Sequence, residues 1–309
     1  MNMRQQLPAT GFSVFPLCLG GNVFGWSADE AESFRVLDAF FDGGGNFIDT
    51  ADMYSEWKEG NIGGESETII GKWMASRKNR HDVIVATKVA KLSSRKGLAP
   101  ANIRAAIEDS LRRLQSDYVD LYYAHEDELG LAQEEVMETF DSLVKAGKVR
   151  VLGASNFTGD RLRSAARISS ENGLASFAAI QNQYNLLDRA EFESDAKIAA
   201  EELGLDSFPF YGVARGFLSG KYQPGVVVDS VRAGGVAAYT NERGWKVLES
   251  VKDLAASHGV SMTAIALAWL RAKNQTPIAS ARTVEQLREL MQIVELSPDE
   301  VQTLDQVSN

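Results

Sequence analysis

The chain has 309 residues, with 42 acidic against 32 basic side chains, a net charge of −10, three histidines and a single cysteine, Cys18. This length buries a large core without staples, and one cysteine excludes an internal disulfide or a zinc site built on several thiolates. The acidic balance argues against a nucleic-acid partner, and no apolar run approaches the ~18 residues of a membrane span. The opening MNMRQQLPAT has no apolar signal-peptide core. A cytoplasmic protein is therefore expected, monomeric or weakly self-associating, with no membrane partner.

In chain order, Thr10–Val14 suggests a short hairpin strand outside the main sheet. Eight further runs read as strands: Leu17–Gly20, Asn46–Thr50, Val83–Lys88, Tyr118–Ala124, Arg150–Ala154, Ala178–Gln183, Leu205–Phe210 and Thr276–Ser280. They are nearly continuous apolar runs, as parallel strands covered on both faces require. Between them lie amphipathic helices. After Pro100, the spacing of Ile103, Ile107, Leu111 and Leu114 marks one apolar face. Ser27 and Thr283 stand where helix caps are expected. The stretch 223–241 is rich in Gly and Val and has neither period, so a long loop is expected there. The alternation predicts a single-domain (β/α)₈ barrel, a TIM barrel of the α/β class.

Chemistry in such a barrel sits at the C-terminal ends of the strands. Reading off those ends gives Asp49, with Tyr54 just beyond, then Lys88, His125, Ser155-Asn156 and Gln181. Each has a plain structural explanation, as a turn cap, a rim cation or a packed histidine. Together, four ionisable side chains at the ends of successive strands point to proton delivery. A lysine beside a tyrosine is expected to stabilise the phenolate and lower its pKa, and a carboxylate keeps the lysine charged and aimed. A histidine can orient a carbonyl oxygen. None of these groups is a redox centre, so a hydride would have to come from a cofactor. With the histidines dispersed, a metal site has no support.

These residues lie in blocks that resemble the aldo-keto reductase superfamily across nearly the whole chain: FIDTADMY (47–54), GGESETIIG (63–71), VIVATK (83–88), SLRRLQSDYVDLYYAH (110–125), GKVRVLGASNF (147–157), IQNQYNLLDR (180–189) and GFLSGKY (216–222). The resemblance implies a (β/α)₈ barrel binding a nicotinamide cofactor, usually NADPH, without a Rossmann domain. No Gly-x-Gly-x-x-Gly opens a helix here, which agrees. It also implies that Asp49, Tyr54, Lys88 and His125 form the catalytic tetrad, with Tyr54 the proton donor. Ser155, Asn156 and Gln181 match positions that hold the nicotinamide carboxamide, and Phe210 the position of a stacking ring. Gly21, Asn22, Tyr211, Val213, Arg215, Gly216, Leu218 and Lys221 match other cofactor contacts. Ser280, Arg282 and Gln286 resemble a pocket for the adenosine 2′-phosphate. Arg282 suits a phosphate better than a ribose hydroxyl, favouring NADP(H) while leaving NAD(H) open. Leu290 stands where the family often has an Asn contacting adenine.

Phe24, Trp26, Tyr54, Trp57 and the 223–241 loop are the substrate-pocket candidates. The run Glu126-Asp127-Glu128 beside His125 is expected to disfavour anionic substrates. The expected activity is reversible reduction of an aldehyde or ketone to an alcohol. Two other classes remain open at this stage. One is a cofactor-binding regulatory subunit, of the kind some family members provide to membrane channels. The other is a lyase using Lys88 as a Schiff-base amine.

Overall fold

In the computed structural model, which describes residues 4–223 and 233–309, short parallel strands alternate with helices from residue 18 onward. The strands are β3 (Cys18–Gly20), β4 (Phe47–Asp49), β5 (Ile84–Val89), β6 (Val119–Ala124), β7 (Val149–Ser155), β8 (Phe177–Gln181), β9 (Asp206–Ser207) and β10 (Ile278–Ala279). They follow β1 (Gln5–Gln6) and β2 (Ser13–Val14), an antiparallel hairpin. The helices are α1 (Glu30–Asp42), α2 (Glu65–Arg77), α3 (Pro100–Leu114), α4 (Gln133–Lys145), α5 (Gly159–Asn172), α6 (Lys197–Glu202), α7 (Ala233–Val236), α8 (Glu242–His258), α9 (Met262–Ala272), α10 (Val284–Leu290) and α11 (Pro298–Ser308).

The eight parallel strands pair in the order β10-β3-β4-β5-β6-β7-β8-β9. Two further backbone bonds join the ends: Thr276 N–H to Ser207 O at 3.0 Å and Ile278 N–H to Pro209 O at 2.9 Å. The sheet thus curls into the expected (β/α)₈ barrel. Strand β9 is shorter than Leu205–Phe210 and β10 shorter than Thr276–Ser280. Pro209 and Pro277 lack the N–H that would continue each ladder.

Side chains alternate across each strand, and this alternation divides the core. Cys18, Phe47, Ala86, Leu121, Tyr123, Ala179, Phe208 and Ile278 pack together inside the barrel. Leu19, Ile48, Val85, Tyr122 and Ile180 belong to the larger cluster shared with the helices. The hairpin contributes Val14, Phe12 and Leu7 to the inner cluster, and Phe12 meets Phe47 edge to face at 6.2 Å. It therefore closes the barrel at the strand-start end.

All four apolar positions read from α3 (Ile103, Ile107, Leu111 and Leu114) are buried. Thr283 caps α10 as expected, accepting from Gln286 N–H. The cap of α1 is Asp29 rather than Ser27, its carboxylate accepting from Glu32 N–H at 2.8 Å. The expected 223–241 loop is partly helical, with α7 followed by a 3₁₀ turn at Ala237–Tyr239. Residues 224–232 of that stretch lie outside the described residues.

Candidate active site

Stepping two residues along each strand from the inner core leads to the barrel's C-terminal rim. Phe47 leads to Asp49, Ala86 to Lys88, Leu121 through Tyr123 to His125, and Ala179 to Gln181. The register sets Lys88 beside Tyr123 and Gln181 beside Ser155. Tyr54 arrives from the loop after β4. That loop turns through a bond from Tyr54 N–H to Ala51 O and a left-handed Ser55, φ +74°. Ser55 Oγ donates to Phe24 O at 2.6 Å, tying the loop to the one after β3.

Lys88 is fully buried and its Nζ donates three bonds: to Asp49 Oδ2 at 2.7 Å, Thr50 O at 2.7 Å and Tyr54 Oη at 2.8 Å. Tyr54 Oη donates to Asp49 Oδ2 at 3.1 Å. The other Asp49 oxygen, Oδ1, accepts from Gln181 Nε2 at 2.9 Å. The His125 ring stands 6.1 Å from the Tyr54 ring, edge to face. The structure thus brings the predicted quartet together and adds Gln181 to it.

Burial dominates the protonation of these groups. It pulls the Lys88 ammonium below the usual lysine range, with Asp49 opposing. It pushes the Tyr54 phenol well up, and Asp49 adds to the shift. This is the reverse of the lowering expected from a lysine neighbour: desolvation of the phenolate and the nearby carboxylate outweigh the ammonium. His125 is held well below the ordinary histidine range by burial, then by Lys88 and Lys91. Near neutral pH the phenol is protonated and the imidazole neutral.

Two adjoining cavities open on this rim, each about 300 Å³. The first is lined by Asp49, Tyr54, Trp57, His125 and, among the predicted cofactor positions, Asn22, Ser155, Asn156, Gln181, Phe210 and Tyr211. The second is lined by Gly216, Lys221, Arg282, Gln286 and Leu290. Val213, Arg215 and Ser280 line both, so the cavities form one continuous groove. Asn156, left-handed at φ +59°, donates through Nδ2 to His125 O at 2.9 Å and Ser155 Oγ at 3.0 Å. Ser280 Oγ donates to Asn22 Oδ1 at 2.6 Å, joining β10 to the loop after β3. At the junction, Tyr211, Ala214 and Arg215 adopt positive φ, strain of a kind that concentrates at functional sites. The Arg215 guanidinium stacks 4.6 Å from the Tyr211 ring centre.

Several predicted contacts lie elsewhere. Gly21 is buried, its N–H bonded to Asp49 O at 2.7 Å, and a Cβ there would meet Ser66 Oγ, so it shapes the wall without lining it. Leu218 and Phe24 are fully buried in the core and line neither cavity. Phe24 faces inward, its carbonyl accepting from Ser55 Oγ, while Trp57, 44 % exposed, faces the opening. Trp26 is half-buried and meets Trp57 edge to face at 5.6 Å. The acidic run is partly paired. Asp127 pairs with Arg161 at 2.6 Å, Glu128 accepts from Leu98 N–H, and Glu126 pairs with Lys91 at 3.1 Å. These partners come from distant segments, so the ion pairs of Glu126 and Asp127 are invisible in the local sequence; the Leu98 amide carries no charge, and Glu128 keeps its own.

Sequence reasoning missed Met53 and Lys91 in the first cavity and Ser219 and Glu289 in the second. Lys91 lies two residues beyond β5, where the rule about strand ends, extended slightly, would have found it. A buried acid, Asp52, was also missed. Burial, then Glu67, raises its carboxyl to about 8, against the pull of Arg113, Arg95 and Lys88.

The sequence profile of the Aldo/keto reductase family matches residues 16–309. Among curated proteins, the chain is 36 % identical to the "Uncharacterized oxidoreductase YrpG" of Bacillus subtilis, over 95 % of this chain and 91 % of that protein. It is 32 % identical to the "Putative aryl-alcohol dehydrogenase AAD14" of Saccharomyces cerevisiae, over 99 % of this chain and 86 % of that protein. It is also 32 % identical to the "Norsolorinic acid reductase" of Aspergillus flavus, over 96 % of this chain and 78 % of that protein. With a barrel of eight parallel strands and a profile match along nearly its full length, this chain belongs to the aldo/keto reductase family and is an oxidoreductase of that family.

Proposed function

We propose that the protein reduces an aldehyde or ketone to an alcohol, reversibly, with NADPH as hydride source and Tyr54 as proton donor. The observation that carries this reading is the position of Tyr54 Oη. It lies 2.8 Å from Lys88 Nζ and 3.1 Å from Asp49 Oδ2, on the wall of a cavity that His125 also lines.

The groove's chemistry suits a nicotinamide dinucleotide. One end offers the side chains of Ser155 and Asn156 with the Phe210 ring. The other offers the cations Lys221 and Arg282, which match phosphates. When bound, the cofactor supplies the hydride that none of these side chains can provide. The residues then act on the proton and the oxygen. Tyr54 holds its proton because the buried phenolate is unfavourable, and releases it only to an oxygen that is gaining negative charge. Lys88 donates to Tyr54 Oη and so stabilises the phenolate left behind. Asp49 keeps Lys88 charged and in line. Neutral His125, on the same wall, can donate a hydrogen bond that orients the carbonyl oxygen. The relatives named for aryl alcohols and norsolorinic acid, together with Trp57 and Trp26, favour an aromatic carbonyl compound.

The geometry weakens the lyase reading. Lys88 gives all three N–H bonds to neighbours and does not line the cavity, so it presents no lone pair to a carbonyl. The test is a fluorescence titration with NADPH and NADH in parallel, followed by a screen of aromatic aldehydes. Tight quenching by NADPH with turnover of at least one aldehyde is the expected result. Binding of neither cofactor would refute the proposal, and tight binding without turnover would favour a regulatory subunit.

A further inference from the structure

Lys91 lines the first cavity and has no part in the proton-transfer quartet. Its place follows from an unusual backbone. Ala90, fully buried just past β5, has φ +119°, a region that residues with a Cβ rarely adopt. Gly97 N–H donates to Ala90 O at 2.8 Å and closes this turn. The turn sets Lys91 into the wall that also carries Tyr54, Trp57 and His125. Its charge acts on His125, helping to keep that imidazole neutral.

The charges on the cavity wall do not balance. Among the described lining residues the one carboxylate is Asp49, already engaged by Lys88 and Gln181. The lining cations among the described residues are Lys91 and Arg215, and Arg215 lies at the junction with the second cavity, stacked on Tyr211. Lys91 has a partner, Glu126, but Glu126 does not line the cavity. Both members of that pair are more than a third exposed, at 36 % and 44 %. Exposed pairs of this kind are held weakly. Asp127 and Glu128 are bound elsewhere and do not compete for Lys91.

We infer that the substrate is an aromatic aldehyde carrying a carboxylate on its ring, and that Lys91 exchanges Glu126 for this carboxylate. The ring lies against Trp57, and the aldehyde oxygen faces Tyr54 and His125. This inference rests on the reductase reading of the same site.

The test compares benzaldehyde with 3- and 4-carboxybenzaldehyde. Affinities are measured by calorimetry on the protein with NADP⁺, and turnover is measured separately with NADPH. At least one carboxylated isomer should bind about tenfold more tightly than benzaldehyde, as a charge-assisted bond allows. Lys91→Met should bring that ratio close to one, whereas Glu126→Gln, which removes the competing carboxylate, should increase it. A ratio unchanged by Lys91→Met, or a wild type that prefers benzaldehyde, would overturn the inference. Turnover of benzaldehyde without carboxylate preference would leave the reductase reading intact and remove this one. Carboxylate preference lost in Lys91→Met, but with no turnover of any aldehyde, would retain the anion site and remove the reductase reading.

Discussion

Lys88 Nζ and Asp49 Oδ2 lie 2.7 Å apart beneath the cavity, with side-chain exposures of 0 % and 2 %. Thr50 O and Tyr54 Oη take the remaining Lys88 protons, and Gln181 takes the remaining Asp49 oxygen. Removing one member leaves the other charged and buried, which typically costs about 3–5 kcal/mol. Asp49→Ala should therefore lower stability by roughly that amount, as read from urea unfolding midpoints at constant slope. A loss below about 1 kcal/mol would show that Lys88 finds water or another partner.

Tyr54→Phe removes one hydroxyl from a partly exposed ring and leaves the predicted cofactor side chains untouched. General acid catalysis typically contributes about 10²–10⁴ in rate. The variant should lose turnover within that range, with little change in its affinity for NADPH. Steady-state kinetics alongside a fluorescence titration separates the two effects. Full retained activity would move the proton-donor role to another group, with His125 the next candidate.

The neutral state of His125 has a consequence for acid stability. Its folded-state pKa lies well below 6.5, while the unfolded chain takes up the proton near 6.5. Between those two values the unfolded state holds more protons than the native state. Stability should therefore fall as pH drops below 6.5, by at most about 1.4 kcal/mol per pH unit from this group, and should be unaffected by it above 6.5. His125→Gln should flatten that part of the curve. An unfolding series between pH 5 and 8, run on both proteins, checks the sign. An identical slope in the variant would mean that His125 is charged in the native state.

Asp52 predicts the opposite trend. Its carboxyl is raised to about 8 in the fold, so the native protein keeps a proton that the unfolded chain releases near 3.8. Stability contributed by this site declines as pH rises from about 4 to about 8 and then levels off. Asn cannot ionise, so Asp52→Asn should gain stability relative to wild type as pH rises through that window. The same pH series measures it.

Arg282 lines the second cavity, and its backbone N–H donates to Gln286 Oε1 at 3.0 Å. If its guanidinium meets the 2′-phosphate, Arg282→Ala should weaken NADPH binding about tenfold or more and leave NADH nearly unchanged. Parallel titrations of the two cofactors with this variant measure the change in their ratio. Equal losses for both would place Arg282 on the shared part of the dinucleotide.

Asp49, Lys88, His125 and Gln181 were legible in the sequence because they are polar residues at the ends of apolar strand runs, where a barrel places its chemistry. The barrel itself was legible in the alternation of β-branched runs and amphipathic helices. Phe24 and Trp57 were not distinguishable, since both sit in loops where no period tells inward from outward. Phe24 packs in the core and Trp57 lines the cavity, a difference that only the tertiary packing shows. The cap of α1 was misplaced by two residues because Ser27 and Asp29 are both good caps. The carboxylate that reaches Glu32 N–H decides between them. The acidic run 126–128 was opaque for a different reason: its partners, the cations Lys91 and Arg161 and the uncharged Leu98 amide, are about 30 residues away in either direction.

The hairpin of β1 and β2 gives the barrel a stopper. Phe12 and Val14 press into the inner cluster from the strand-start end, with Phe47 and Phe208 above them in edge-to-face contact at 5.0 Å. The vessel so formed has its opening at the rim, where Tyr54 and the two cavities lie. On the proposed reaction, carbonyl compound, alcohol and the proton that would restore Tyr54 share one doorway, and a ligand lodged there would halt all three kinds of traffic at once.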